Sequence, residues 1–283
     1  MCEQIKASFW GFVIGDCLGV PYEFTQPKIG KVKMVGYKSH KQKPGTWSDD
    51  TALMLATMNC NFRNEKKFKN ALLQSIDTGK YYPDNIAFDV GGATASNLRD
   101  LGIAEHLPQE GNGSMMRSLP FAFLNMNDTN RRNLVWNSSY LTHKSINAAI
   151  TANLYVGMIR LYLSDPQITT IAVIEYLNSI ANDIFPTGGN MLRFEDKISN
   201  RGYCKHSLQI VIEVVKHATS FADGMKRAIN FGGDTDTHAA MAGAILALKY
   251  PDYKQFIKGV RKGQIVENSI NKYIKNEITK RAV

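Results

Sequence analysis

A chain of 283 residues with 44% hydrophobic and 21% charged side chains can bury a substantial core, and its composition excludes a disordered or fibrous protein. The formal charge of +9 favours anionic ligands but does not define one. The longest apolar run, Ala239–Leu248, is too short to span a bilayer, and Glu3 and Asp16 interrupt the signal-peptide pattern, so no membrane association is expected. Cys2, Cys17, Cys60 and Cys204 are scattered with no CxxC pair, which fits neither a zinc site nor a disulfide framework and points to the reducing cytoplasm.

Taken in order, residues 4–19 read as a helix, with Ile5, Phe9, Phe12, Val13 and Leu18 near helical spacing. Pro21-Tyr22-Glu23-Phe24 then breaks away. Residues 25–46 read as a Lys-, Gly- and Pro-containing loop with a short strand expected at Lys31–Val35. Lys28, Lys31, Lys33, Lys38, Lys41 and Lys43 make this loop basic with no acid among them. Trp47-Ser48-Asp49-Asp50-Thr51 opens a largely apolar helix. Adjacent acids at a helix start gain from the dipole, but capping needs only one of them. A buried helix start bearing two acids therefore suggests a ligand-binding cluster rather than a cap.

Phe68–Gly79 is an amphipathic helix ending at glycine, and Ala93–Leu101 another, after a loop ending Asp89-Val90-Gly91-Gly92. Gly91-Gly92 lets an anion approach backbone N–H groups or is a plain turn. Gly111-Asn112-Gly113-Ser114-Met115-Met116-Arg117 offers the same two readings, a phosphate cradle or a turn, and Arg117 is either a phosphate clamp or a structural ion-pair partner. Thr142-His143 precedes a helix at Ile146–Leu163, where a lone His is a cap or a ligand. Helices follow at Thr169–Ala181, Ser207–Ala218 and Phe221–Asn230, with a loop at Phe185–Arg201.

Gly232-Gly233-Asp234-Thr235-Asp236-Thr237 then feeds the packed run Ala239–Leu248. Asp234 and Asp236 repel one another unless a cation lies between them; alternatively they cap the helix. The tail, residues 252–283, reads as helical and basic, with Lys254, Lys258, Arg261, Lys262, Lys272, Lys275, Lys280 and Arg281 against Asp252, Glu267 and Glu277. No basic stripe is interleaved with aromatics, so nucleic acid is not the favoured partner. Strand signals are nearly absent. The expectation is one all-α domain over residues 1–283, a compact orthogonal helical bundle.

The acids at helix boundaries, Glu23, Asp49, Asp50, Asp234 and Asp236, join hydroxyls at Ser48, Thr51, Thr235 and Thr237. Hard oxygen donors of this number exceed one divalent cation's shell and suit two cations roughly 3.5–4 Å apart.

The ordered set Gly15-Asp16-Cys17-Leu18-Gly19 with Glu23, Ser48-Asp49-Asp50-Thr51, Gly111–Arg117, Thr142-His143, Gly202-Tyr203 and Gly232–Thr237 resembles the ADP-ribosylglycohydrolase family. The resemblance implies an all-α fold around a central dinuclear site of Mg²⁺ or Mn²⁺. It puts metal ligands at Ser48, Asp49, Asp50, Asp234, Asp236 and Thr237, and catalytic acids at Glu23, Asp89 and Asp50, with Glu23 or Asp89 as the general base. It puts the diphosphate and ribose at Asn112, Gly113, Ser114 and His143, with Gly91 and Met115 as further substrate-binding residues, and an aromatic neighbour of the adenine at Tyr203. The activity implied is removal of ADP-ribose from a protein side chain, arginine first, with serine-linked, nucleic-acid-linked or free derivatives as alternatives. The remaining alternative is ADP-ribose binding without catalysis. Ser48 departs from the family's usual Thr while keeping the hydroxyl. His238 and Ala95 depart from the apolar-or-Asn and basic residues expected there.

Overall fold

The computed structural model describes residues 1–101, 109–184 and 198–279. Among these it contains twelve α-helices and no β-strand. They are α1 (Cys2–Gly19), α2 (Asp49–Asn59), α3 (Glu65–Thr78), α4 (Gly92–Leu98), α5 (Gly113–Met116), α6 (Asp128–Tyr140), α7 (Ile146–Ser164), α8 (Thr170–Ile184), α9 (Cys204–His217), α10 (Phe221–Asn230), α11 (Thr235–Lys249) and α12 (Gln264–Tyr273). Short 3₁₀ segments occupy Val20–Tyr22, Leu119–Phe123 and Pro251–Gly259, and a π turn Ile274–Thr279. No helix among the described residues is long and apolar enough to cross a membrane.

The centre of the molecule is the antiparallel pair α1 and α11. Both are apolar around their circumference and buried along nearly their whole length. Small residues allow the backbones to touch. A Cβ on Gly11 would lie 2.2 Å from the Gly243 carbonyl oxygen, on Gly15 2.0 Å from that of Ala239, and on Gly19 2.3 Å from the Asp236 Cα. Spacing of four residues keeps the three glycines on one face. The seam thus delivers the C-terminal end of α1, and Glu23 just beyond it, to the N-terminal end of α11.

Helix α2 is docked by a buried acid. The Asp16 carboxylate, inside α1, accepts from the Ser48 N–H at 2.9 Å and the Thr51 N–H at 3.0 Å. Two otherwise orphaned amides of the α2 start are satisfied in this way. Peripheral helices follow ordinary rules. Asn64 caps α3 by accepting from the Lys67 amide, and Gly79 ends it in the left-handed region at φ +69°.

The structure alters several local expectations. No strand forms at Lys31–Val35, because the described residues contain no strand for it to pair with. The loop is held instead by Asn230, whose side chain accepts from the Ile29 N–H at 2.8 Å and donates to the Ile29 carbonyl at 3.3 Å. Val32, Met34 and Val35 pack partly on the core. Helix α4 ends at Leu98 rather than Leu101, with the Leu101 N–H turned back to the Ser96 carbonyl. Helix α6 carries no periodic apolar stripe and is not visible in the sequence pattern. It is capped by Asn127 and tied by Arg131, whose guanidinium donates to the Leu124 and Met126 carbonyls. Most of the loop expected at Phe185–Arg201, including Pro186–Gly189, lies outside the described residues. So does the last part of the basic tail.

Candidate active site

Three chain segments meet at the floor of a cleft of about 600 Å³. One is the turn after α1 with Glu23. Another is the start of α2 with Ser48, Asp49 and Asp50. The third is the start of α11 with Asp234, Asp236 and Thr237. Glu23, Asp49, Asp89, Asp234 and Thr237 line the cleft, while Asp50 and Asp236 lie fully buried beneath.

The backbone fixes this meeting. Gly232 and Gly233 adopt φ of +72° and +69°, a conformation side chains other than glycine rarely take. That turn lets the Gly233 carbonyl accept from the Phe24 N–H at 2.7 Å and the Gly233 N–H donate to the Thr25 carbonyl at 3.0 Å. The loop bearing Glu23 is thereby clamped to the loop bearing Asp234. On the other side the Asp234 N–H donates to the Asn200 carbonyl at 2.8 Å.

The hydroxyls converge on one carboxylate. Ser48 Oγ and Thr237 Oγ1 each donate to Asp50 Oδ2 at 3.1 Å. Asp50 Oδ1 and Asp236 Oδ2 are buried and, among the described residues, have no hydrogen-bond partner. Ligand atoms of Asp16, Asp50 and Asp236 lie within 4.8 Å of one another, as do those of Glu23, Asp234 and Asp236. Among the described residues the basic group within ion-pair range of these acids is His40. Its Nε2 contacts Glu23 Oε2 and lies 3.8 Å from Asp89 Oδ1.

Such crowding raises proton affinity. Burial, reinforced by neighbouring carboxylates, holds Asp49, Asp50 and Asp236 well above the usual carboxylate range. Burial first, then the charge of Asp234, pushes Glu23 up to about 8. Burial and the charge of Glu23 do the same for Asp89. Burial raises Asp16 to about 6, hydrogen bonds to Thr51 and Ser48 restraining it. Buried anions without cationic partners are costly. Orphaned carboxylate oxygens, hydroxyls and an all-oxygen donor set fit hard divalent cations such as Mg²⁺ or Mn²⁺.

The cleft is further lined by Gly91, Gly92, Thr94, Gly111, Asn112, Gly113, His143, Arg201 and Gly202. The space exists because side chains are missing: a Cβ on Gly113 would lie 3.0 Å from His143 Cε1 and 3.1 Å from Thr94 Oγ1. His143 is buried, held by Thr142 Oγ1 at 2.9 Å, and burial pushes its pKa down to about 3, so its ring is neutral. Asn97 braces this wall by donating to the Thr142 carbonyl.

Some expected ligand residues sit differently. Asn112 lines the cleft, but its amide is committed to Asp234 Oδ2 at 2.7 Å and Ser207 Oγ at 3.0 Å. Ser114 is buried against Ser139 Oγ at 2.8 Å, and the Met115 side chain is fully buried in the apolar core, so both face away from the cleft. Tyr203 pairs its backbone with Gly111 and sets its ring edge-on to His206 at 4.8 Å, one residue beyond the cleft-lining Gly202. Arg117 does not line the cleft and has no ion-pair partner among the described residues. Its buried guanidinium donates to the Gly113 carbonyl at 3.0 Å and the Ser138 carbonyl at 2.6 Å. His238 is fully buried with Nε2 3.1 Å from Ser207 Oγ, which links it through Ser207 and Asn112 to Asp234.

Two contributors are not read from the sequence. Asp16 signals itself only as an acid inside an apolar helix, and His40 sits in a lysine-rich stretch that resembles solvated loop.

The fold is all-helical, with carboxylates gathered where helices begin. The ADP-ribosylglycohydrolase family profile matches residues 1–254, and the chain belongs to that family. It is a hydrolase of ADP-ribosyl bonds. The chain is 26% identical over 266 residues to an ADP-ribosylarginine hydrolase Tri1 of Pseudomonas putida (strain GB-1), covering 88% of this chain and 71% of that protein. It is 23% identical over 264 residues to the protein of the same name from Serratia proteamaculans (strain 568), covering 88% and 72%. A solved structure described as an ADP-ribosylglycohydrolase-related protein complex shares the fold with a TM-score of 0.77 at 20% identity, over 98% of this chain and 99% of that one.

Proposed function

We propose that this enzyme removes ADP-ribose from arginine side chains of proteins, using two divalent cations, Mg²⁺ or Mn²⁺. The observation that carries this reading is the pair of orphaned buried oxygens, Asp50 Oδ1 and Asp236 Oδ2, beneath a cleft walled by glycines. The names of the two Tri1 relatives support arginine as the acceptor. Ser48, Asp49, Asp50, Asp234, Asp236 and Thr237 would hold the cations, which when bound offset the buried negative charge and polarise substrate oxygens.

The remaining chemistry falls to the chain. A ribose seated over the acids places its anomeric carbon beside Glu23 and Asp89. Glu23 and Asp89 share a raised proton affinity, which suits the uptake of a proton near neutral pH. Attack by water forms the new C–O bond as the C–N bond breaks, through an oxocarbenium-like state. The electron pair returns to the guanidine, which leaves neutral and then collects the proton given up by the water. No strong protein acid is required. The diphosphate is assigned to the part of the cleft bounded by Gly91, Gly113, the neutral His143 and Arg201. Ser114 and Met115 can serve there only through backbone. Tyr203, which follows the cleft-lining Gly202, is the aromatic residue assigned to the adenine.

Assays of ADP-ribosylarginine, ADP-ribosylserine and ADP-ribosylated nucleic acid, each with and without Mg²⁺, test the reading. Metal-dependent release from arginine is the expected result; turnover of serine or nucleic-acid conjugates alone would reassign the acceptor. ADP-ribose binding with no turnover on any of them would replace the enzyme reading with a binding one.

A further inference from the structure

Immediately after the catalytic Glu23 comes Phe24, a large aromatic side chain that is 71% exposed on the lip of the cleft. Its backbone is in the left-handed region at φ +56°, which bulky residues seldom occupy. It is held there by the hydrogen bond from its N–H to the Gly233 carbonyl and by that of Thr25 N–H to the Tyr22 carbonyl. The ring stands 6.3 Å from that of His40, whose imidazole contacts Glu23. Neither core packing nor a turn requirement explains it: the residue is exposed, and glycine would suit the backbone better.

Phe24 lines the cleft together with Glu23, Asp49 and Asp89, and its ring lies beside the His40 that contacts Glu23. A ribose seated with its anomeric carbon beside Glu23 brings its anomeric substituent within reach of Phe24. An exposed aromatic face beside carboxylates suits a planar cation. Resting on the arginine-hydrolase reading above, we propose that Phe24 is the platform on which the guanidinium of the modified arginine stacks, and that it selects arginine-linked over hydroxyl-linked ADP-ribose. A serine acceptor is neutral, has no planar group and gains nothing from the ring.

The test compares the full-length protein with Phe24→Leu, Phe24→Ala and Phe24→Trp, each checked for fold by circular dichroism. KM for ADP-ribosylarginine should rise about tenfold in the leucine and alanine variants and return toward the parent value in the tryptophan variant. The dissociation constant of free ADP-ribose, which lacks the guanidinium, should move less than about twofold, because the ring gives it no cation–π contact. An unchanged KM in Phe24→Leu would overturn the proposal. Parallel weakening of ADP-ribose would also overturn it, placing the ring under the adenine. If the unaltered protein with Mg²⁺ or Mn²⁺ does not turn over ADP-ribosylarginine, the parent reading fails and this one with it, an outcome visible before any variant is made.

Discussion

Two sets of residues around the cleft are built by opposite means. In one, carboxylates are packed so tightly that burial and mutual repulsion raise the proton affinity of Glu23, Asp49, Asp50, Asp89 and Asp236. In the other, room is made by omission: Gly111 and Gly113 leave space that a Cβ would close against His143 at 3.2 and 3.0 Å. The acid set stores electrostatic cost that a bound cation would relieve, whereas the glycine set works by shape. Substitution should therefore act on turnover at the first and on binding at the second.

The largest effect is expected from Asp236→Asn. The change keeps the volume and removes a buried carboxylate that lies in both acid clusters. Turnover should fall by a factor of about 10³ or more, a loss on the scale of a removed transition-state contact. Calorimetric titration should show weaker Mn²⁺ binding, while the circular dichroism spectrum stays that of the parent. Full activity in this variant would remove Asp236 from the centre.

A smaller effect belongs to the glycine set. Gly113→Val puts branched carbons where His143 and Thr94 already crowd the space, so KM should rise roughly tenfold with kcat largely kept, a loss of uniform binding. Steady-state kinetics decide it: a fall in kcat with KM unmoved would mean that this wall positions the reacting atoms rather than the diphosphate.

The smallest effect is on stability, and its sign separates the two sets. Without metal, the folded state holds protons on Glu23 and Asp89 up to about pH 8, whereas the unfolded chain releases them near the ordinary values of 4.5 and 3.8. Between those limits the folded state binds more protons, so its stability is full in acid and declines as pH rises toward 8. Cation binding requires the ionised acids and strengthens over the same range. Melting temperatures at pH 5 and pH 8 should drop with pH in chelator, and the increment added by Mn²⁺ should be larger at pH 8. A metal-free profile that rises with pH would show that the acids are already compensated.

Much of the acid set is legible in the sequence because carboxylates at helix starts leading into apolar runs are conspicuous: Asp49-Asp50 and Asp234-Thr235-Asp236 announce themselves. Asp16 is not, since its function as the dock for the amides of α2 depends on a contact 32 residues away. His40 is hidden among lysines and acquires meaning only when its loop folds across Glu23. Helix periodicity finds α3, α8 and α10 well, but α6 is too polar to show a stripe. Met115 illustrates the converse: a four-residue helix is too short for periodicity to say which way a side chain turns, and packing turned it inward.

The seam of α1 and α11 couples properties usually free to vary separately. Gly19 can gain no side chain without meeting the Asp236 Cα at 2.3 Å, and Gly15 none without meeting the Ala239 carbonyl. Any change that widens this helix pair displaces the buried Asp236 as it loosens the core. Selection for a sturdier core and selection for a faster enzyme therefore act on the same few atoms. New substrates are more readily reached by changing the lip of the cleft than its floor.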